Sequence, residues 1–438
     1  MAVGDAVTVA AVDLWGTRIG AVSQDGAGQP AVFQYDPAFM RAGIEPAPLQ
    51  MPVRRQPYSF AALAPASFRG LPGMLADSLP DRFGNALIDA WLARQGRVPD
   101  SFDAVERLCY IATRGMGALE FRPSLGPAPA PGRDLQVSEL VQLAAEVLEE
   151  REALHASLTG SEREDAMRDI LAVGTSAGGA RAKAVIAFDP RTGTVRSGQL
   201  DAPDGFDHWL LKFDGVDSQR ELGDPLGYGA IEFAYANMAR VAGIEMAPCR
   251  LLEEGGRRHF MMRRFDRVGN AKLHMQSLAA LAHYDFTQAG AYSYEQALAV
   301  IRRLDLSHAA VEQQFRRMVF NIVARNQDDH VKNIAFLMNR DGDWALSPAY
   351  DMTYAFNPAG QWTSQHQMSV AGKRDGFTVE DLRACGRTAA MKRGAAERIL
   401  AEVTEAVSDW ERFAADAGVG ERQLTAIARA HRLSLPSG

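Results

Sequence analysis

The densest run of chemically competent side chains is Asn326-Gln327-Asp328-Asp329-His330-Val331-Lys332-Asn333, with Asp351 following it. Asp328 and Asn333 stand at the spacing D-x-x-x-x-N, and a later Asp completes the order used for phosphoryl transfer: a base, a metal-holding amide and a metal-holding carboxylate. Asp329 is out of that register. Asp328 is therefore the candidate general base, and Asn333 and Asp351 are candidate metal ligands. Their oxygen donors suit a hard ion such as Mg²⁺, which keeps several waters and uses only one or two protein carboxylates. A stretch rich in Asp and Asn is also what an ordinary turn looks like; the ordered sequel ending in Asp351 separates the two readings. His330 lacks a second His or Cys at ligand spacing, which argues against zinc and leaves it as a loop anchor. Lys332 lies between base and ligand, where it could neutralise a transferred phosphate or stand as a solvated loop lysine.

Position must come from the flanking elements. Val311, Phe315, Met318, Val319, Ile322 and Val323 recur at helical spacing behind Ser307, a capping residue, so a buried helix should end near Asn326. Ile334 to Met338 and Asp343 to Ser347 read as short strands joined at Asn339-Arg340-Asp341-Gly342, a hairpin that returns Asp351 towards the loop.

A second chemical stretch is Gly174-Thr175-Ser176-Ala177-Gly178-Gly179-Ala180-Arg181-Ala182-Lys183, followed by a strand from Ala184 to Phe188. Glycines and small residues let backbone N–H groups approach a phosphate. It is not a Walker loop, because Ala180 and Arg181 stand where G-K-S/T is required; a plain connector has the same composition. His208 to Phe213 is an apolar strand with one ammonium, Lys212, and a helix carrying Glu232 begins near Gly229. That order matches the lysine–glutamate pair of kinases, although Lys212 could equally snorkel at a sheet edge. A hairpin about Glu254-Gly255-Gly256 then ends in Met262 to Arg267, a candidate hinge.

Near the N-terminus, Val7 to Val12, Leu14 to Val22 and Ala31 to Tyr35 read as strands, and Pro80 opens a helix through Ala86, Leu87, Ala90 and Trp91. Arg122 to Asp134 is Pro-rich and reads as a linker, with an amphipathic helix through Leu140 to Leu154 after it. Beyond Lys272 the pattern is mostly helical: Thr378 opens a short helix closed by Gly386, and Glu397–Ala414 and Arg422–Arg432 form longer ones.

The length of 438 residues allows two or three domains. A net charge of −7 gives no general attraction to nucleic acid or anionic membrane. Cys109, Cys249 and Cys385 are isolated and read as reduced, buried thiols. No signal peptide or membrane-spanning run is visible, so the expectation is a soluble cytoplasmic protein.

Taken together, Gly73 to Asp81 with its Ala-Asp-Ser-Leu-Pro-Asp ending, the Ser176-to-Lys183 loop, Arg264-Phe265-Asp266-Arg267, Asp328…His330…Lys332-Asn333 and Pro348…Tyr350-Asp351 resemble HipA-type serine/threonine kinases over nearly the whole chain. These are toxins of HipBA toxin–antitoxin modules. The resemblance implies an α+β fold: a small N-terminal α+β domain (1–125) packed on a kinase-like bilobal fold with a mixed α/β N-lobe (135–270) and an all-helical C-lobe (271–438). It implies ATP and Mg²⁺, Asp328 and Lys332 as catalytic residues, and Asn333 and Asp351 on the metal. Nucleotide contacts fall on Ser176, Gly178, Gly179, Ala180, Lys183, Lys212, Arg263, Phe265 and His330. Ser176 corresponds to an autophosphorylated serine whose added charge would expel the loop and inactivate the enzyme. Ala182 departs from the Pro or Glu often found before the loop lysine. The implied partners are a HipB-like helix-turn-helix antitoxin, operator DNA reached through it, and a protein substrate, an aminoacyl-tRNA synthetase. Two alternatives stay open: a small-molecule phosphotransferase of kinase-like fold, and a catalytically silent corepressor that binds an antitoxin.

Overall fold

The computed structural model describes residues 7–26, 28–127, 132–149, 161–174, 181–216 and 226–438. The chain forms two compact units. Unit 1 comprises Met1–Leu226, Leu252–Gln276 and Met338–Gly342; unit 2 comprises Gly227–Leu251, Ser277–Leu337 and Asp343–Gly438. The architecture is mixed α+β.

Unit 1 begins with β1 (Val9–Leu14), β2 (Thr17–Ser23) and β3 (Val32–Tyr35), which join β4 (Leu119–Arg122) in an antiparallel sheet of order β3-β2-β1-β4. The pleat is legible in β3, where Phe33 and Tyr35 are buried and Val32 and Gln34 are exposed. Between β3 and β4 run helices, of which Arg82–Arg94 is the longest. It starts where Asp81 accepts a hydrogen bond from the Gly84 N–H at 2.8 Å, an N-cap that satisfies one of the helix's orphan donors.

A five-stranded sheet has the order β6-β5-β7-β9-β8, from β5 (Lys183–Phe188), β6 (Val195–Ser197), β7 (Asp207–Lys212), β8 (Cys249–Glu254) and β9 (Arg257–Arg263). β5 is buried along its whole length, which is why it reads as a continuous apolar run rather than an alternation. Helices Val137–Glu149 and Ser161–Val173 cover one face, and Phe83, Ala86 and Leu87 of the Arg82–Arg94 helix enter the same core beside Ile186, Leu211 and Met261. The N-terminal region and the second sheet thus share one hydrophobic core.

Unit 2 is built on helices. Tyr228–Val241, Tyr294–Arg303, His308–Val323, Val379–Thr388, Ala395–Ser408, Trp410–Ala417 and Glu421–Ala430 are the main ones, and the strands Ala335–Met338 and Trp344–Leu346 are neighbours in a three-stranded sheet. Three of them start on hydroxyl caps, Ser293, Ser307 and Thr378. Tyr235 is fully buried at its centre; its hydroxyl donates to the Ala324 carbonyl at 2.7 Å, and its ring meets Trp410 edge-on at 5.2 Å.

Three expectations need correction. Gly386 lies inside the Val379–Thr388 helix rather than after it: it is buried with helical neighbours on both sides, and a Cβ there would meet Phe315 and Met391 only at ordinary contact distance. The pattern from Glu397 to Ala414 is two helices, broken at Asp409. The run around Arg264 to Arg267 is no hinge, since unit 1 continues to Gln276 and a buried ion cluster, detailed below, fixes that turn.

Candidate active site

The His308–Val323 helix ends at Ala324, and Arg325 turns the chain with φ +59°. The C-terminal segment secures that end: the Arg432 N–H donates to the Val323 carbonyl at 2.8 Å, and Arg325 Nε donates to the Ala430 carbonyl at 2.9 Å. Beyond it, the loop pairs with the segment after Asp351. Gln327 N–H donates to the Ala355 carbonyl at 3.0 Å, and Asn326 Nδ2 reaches the Asp351 carbonyl at 3.3 Å. Asp351 sits at φ +53°, a left-handed conformation rare outside glycine, which these contacts hold in place.

Asp328, Asn333 and Asp351 come together here. Asn333 Nδ2 donates to the Asp328 carbonyl at 2.8 Å, which leaves its Oδ1 as the amide's accepting atom. Asp328 Oδ1 is turned inward without a hydrogen-bond partner, and His330 Nε2 lies 3.9 Å from it. The Trp362 side chain hydrogen-bonds the same carboxylate. Loss of hydration pushes the Asp328 carboxyl above its ordinary value, and the Asp351 and Asp329 charges add to the rise against the pull of His330. A cavity of about 20 Å³ lies beside Asn333 and Asp351, lined also by Asn326, Asp329 and His330 among others.

The donor set fits a hard divalent cation. Among the described residues no group of three or more His, Cys, Asp and Glu could hold a metal. One carboxylate, Asp351, and one amide oxygen, that of Asn333, are nevertheless donors for an ion that takes its other ligands from water and phosphate. The inward, unpartnered Oδ1 of Asp328 and the neighbouring charge of Asp351 supply what such an ion would neutralise.

Sequence spacing left Asp329 without a role, and the structure gives it one. It is buried and accepts three hydrogen bonds: from the Tyr294 hydroxyl at 2.7 Å, His366 Nδ1 at 2.8 Å and the Gln367 N–H at 2.7 Å. Burial alone would raise its carboxyl, but His366 and these hydrogen bonds hold it below the usual carboxylate value. Arg432 Nη1, which can only donate, lies 3.3 Å from His366 Nε2, so the imidazole proton is assigned to Nδ1. One carboxylate of the Asp328–Asp329 pair does the anchoring and the other is presented. His366 and Tyr294, distant in sequence, carried no motif by which they could be found. Lys332 and His330 both lie beside Phe286: the ammonium is 4.7 Å from the ring centre, and the imidazole 6.3 Å.

In unit 1, Lys183 and Lys212 face each other across β5 and β7. Lys183 is 2% exposed, and its Nζ lies 2.9 Å from Asp81 Oδ2. Lys212 is half-buried, with Nζ 5.7 Å from the centre of the Phe260 ring. Arg263 is exposed and Phe265 half-buried. Between them Arg264 and Asp266 form a fully buried bidentate pair at 2.9 and 2.6 Å, joined by Arg267 at 2.8 Å and the Gly117 N–H at 2.7 Å. Burial would raise the Asp266 carboxyl, but the two guanidinium groups drive it far below the usual range. Ser176, Gly178, Gly179 and Ala180 lie outside the described residues.

Comparisons with known proteins bear on both units. A model of the HipA N-terminal domain matches residues 10–122, and one of the HipA-like C-terminal domain matches residues 175–410. No curated protein matches the sequence. Among solved structures, the chain is similar to one in the Shewanella oneidensis MR-1 toxin–antitoxin complex of HipA, HipB and operator DNA. The identity is 16%, the match covers 96% of this chain and 94% of that one, and the TM-score is 0.68, which establishes the shared fold. The Helicobacter pylori proinflammatory kinase CtkA matches 48% of this chain and 90% of its own at 11% identity, with a TM-score of 0.30, too low to carry weight.

Proposed function

The chain belongs to the HipA family, and from that premise we propose that it is an ATP- and Mg²⁺-dependent protein serine/threonine kinase, the toxin of a type II toxin–antitoxin pair. The observation that carries the reading is the convergence of Asp328, Asn333 and Asp351 on one loop, with the Asp328 carboxyl raised and its Oδ1 turned inward. Asp328 takes the proton from the substrate hydroxyl; a raised carboxyl is a stronger base for that step. Asn333 and Asp351 hold Mg²⁺, whose charge offsets that of the phosphate groups. Lys332 steadies charge on the transferred phosphate. Lys212, Arg263 and Phe265 of unit 1 serve nucleotide binding, and the division 1–125, 135–270 and 271–438 is the proposed domain organisation.

HipB and operator DNA accompany the Shewanella HipA chain, and a helix-turn-helix antitoxin of that kind is the proposed partner. With a net charge of −7, DNA is better reached through that partner than bound alone. An aminoacyl-tRNA synthetase is the proposed substrate, and phosphorylation of it would halt translation and arrest growth. Ser176 is the proposed site of self-inactivation. Among the described residues no helix is long and apolar enough to cross a membrane; the proposed location is the cytoplasm.

The test is intact mass and phosphosite mapping after incubation with ATP and Mg²⁺, wild type against Asp328→Ala. The expected result is one phosphate at Ser176 in wild type, with the rate in Asp328→Ala down by roughly 10²–10⁴-fold. Equal incorporation in a folded Asp328→Ala protein would remove Asp328 from the role of base. Transfer to a small hydroxyl compound but to no protein would favour the small-molecule phosphotransferase.

A further inference from the structure

Two of the three hydrogen bonds that hold Asp329 come from one irregular segment, through His366 and Gln367. The His366 imidazole is fully buried, and Arg432 meets its other edge, with Nη1 3.3 Å from Nε2. Arg432 is itself set by an ion pair between Nη2 and Asp375. Its guanidinium lies 5.7 Å from the centre of the Phe377 ring, and that ring meets His366 edge-on at 5.2 Å. A line of four side chains, Asp375, Arg432, His366 and Asp329, therefore ends beside Asp328.

Arg432 grips the other side of the loop with its main chain. Its N–H donates to the Val323 carbonyl at 2.8 Å, one of the last carbonyls of the His308–Val323 helix, which have no partner within the helix. Arg325 Nε donates back to the Ala430 carbonyl at 2.9 Å, and farther along the Val379 N–H donates to the Pro436 carbonyl at 2.8 Å. Arg432 thus touches both the helix that leads into the loop and the imidazole that anchors its centre.

A neutral imidazole carries one proton, and the hydrogen bond at one nitrogen decides where it sits. A guanidinium donates and cannot accept, so Nε2 is the accepting nitrogen and Nδ1 carries the proton that Asp329 accepts. An imidazolium would set two donors face to face at Nε2. Without the guanidinium the ring is free to carry its proton on Nε2, which would turn an Nδ1 lone pair on the buried Asp329 carboxylate. We propose that Arg432 is a positioning residue for phosphoryl transfer: it fixes the His366 tautomer, and through His366 and Asp329 it holds the backbone that presents Asp328. This role rests on the reading of Asp328 as the base.

The experiment measures phosphate incorporation from ATP and Mg²⁺ by the full chain, resolved into maximal rate and half-saturating ATP, together with melting temperature and the ¹⁵N shifts of the histidine rings. The variants are Arg432→Met, Arg432→Lys, His366→Asn, Arg432→Met combined with His366→Asn, and Val403→Ala, a buried change in the Ala395–Ser408 helix. Arg432→Met is expected to lower the maximal rate about tenfold to a hundredfold, the scale of a small displacement at a reacting group, with half-saturating ATP unchanged. Its His366 proton should move from Nδ1 towards Nε2. Arg432→Lys keeps a cation that only donates and should restore most of the rate. His366→Asn offers Asp329 an amide donor with no tautomer to fix, so Arg432→Met should cost nothing further in that background. A role in stability alone predicts that rate follows melting temperature, Val403→Ala slowing as much as Arg432→Met for equal destabilisation. That result overturns the proposal, as does an Arg432→Met loss that is the same with and without His366, or a His366 proton that stays on Nδ1 in Arg432→Met. Wild-type protein that incorporates no phosphate would remove the kinase reading and this role with it. Wild-type turnover matched by Arg432→Met would remove this role alone.

Discussion

Replacing Asp329 with Asn tests whether the residue beside the proposed base is the anchor of its loop. Asp329 accepts three hydrogen bonds in a fully buried site, from Tyr294, His366 and the Gln367 N–H. An Asn keeps one acceptor oxygen but turns an NH₂ towards groups that donate, so one or two bonds are lost and a donor–donor contact is made. At about 1.5–3 kcal/mol for a hydrogen bond to a charged acceptor, the expected loss is about 3–5 kcal/mol. The unfolding midpoint in denaturant reads this directly, at constant slope. The acid limb supplies an independent check. The folded Asp329 carboxyl lies below its ordinary value, so its contribution is present above the unfolded pKa of about 3.9 and is lost as pH falls through the lower folded value. Wild type should therefore lose stability below about pH 4 more steeply than Asp329→Asn. Turnover should also fall, because the Asp328 backbone would lose its neighbour's fixation. A variant within about 0.5 kcal/mol of wild type, the range of ordinary surface changes, with an unchanged acid limb, would refute the anchoring argument.

As the proposed base, Asp328 must be ionised to accept a proton, so its raised carboxyl predicts an acid limb of activity above that of an ordinary carboxylate. Asp351→Asn removes one of the charges that raise it; at saturating Mg²⁺ and ATP the residual activity should show that limb moved to lower pH, and an unmoved limb would contradict the proximity of the two groups. Asp266→Ala leaves Arg264 and Arg267 without their shared carboxylate in a buried site. The cost expected for breaking such a cluster is about 3–5 kcal/mol, seen as a lowered denaturant midpoint, and an unchanged midpoint would mean that water reaches the guanidinium groups.

How much of this was legible in the sequence follows from the range of each interaction. The helix into the loop was readable because its cap, Ser307, and its apolar face from Val311 to Val323 are local, and the structure has them as expected. The D-x-x-x-x-N spacing and the hairpin after it were equally local, and they are what brought Asp328, Asn333 and Asp351 forward. Gly386 and the break at Asp409 were misread because local composition marks a glycine as an ending and a continuous amphipathic pattern as one helix, whereas the packed chain continues the first helix to Thr388 and breaks the second at Asp409.

The sequence by itself determined which residues could do chemistry, in what order, and inside which kinds of element. Tertiary structure decided which of two adjacent aspartates is the anchor, because Tyr294, His366 and Gln367 reach Asp329 from 35 to 38 residues away. It also decided the fate of Lys183. Its ammonium lies 2.9 Å from Asp81, about a hundred residues earlier, a pairing that no local pattern marks. Burial, and the charge that burial forces into pairing, belong to the folded chain, and no spacing along the sequence records them.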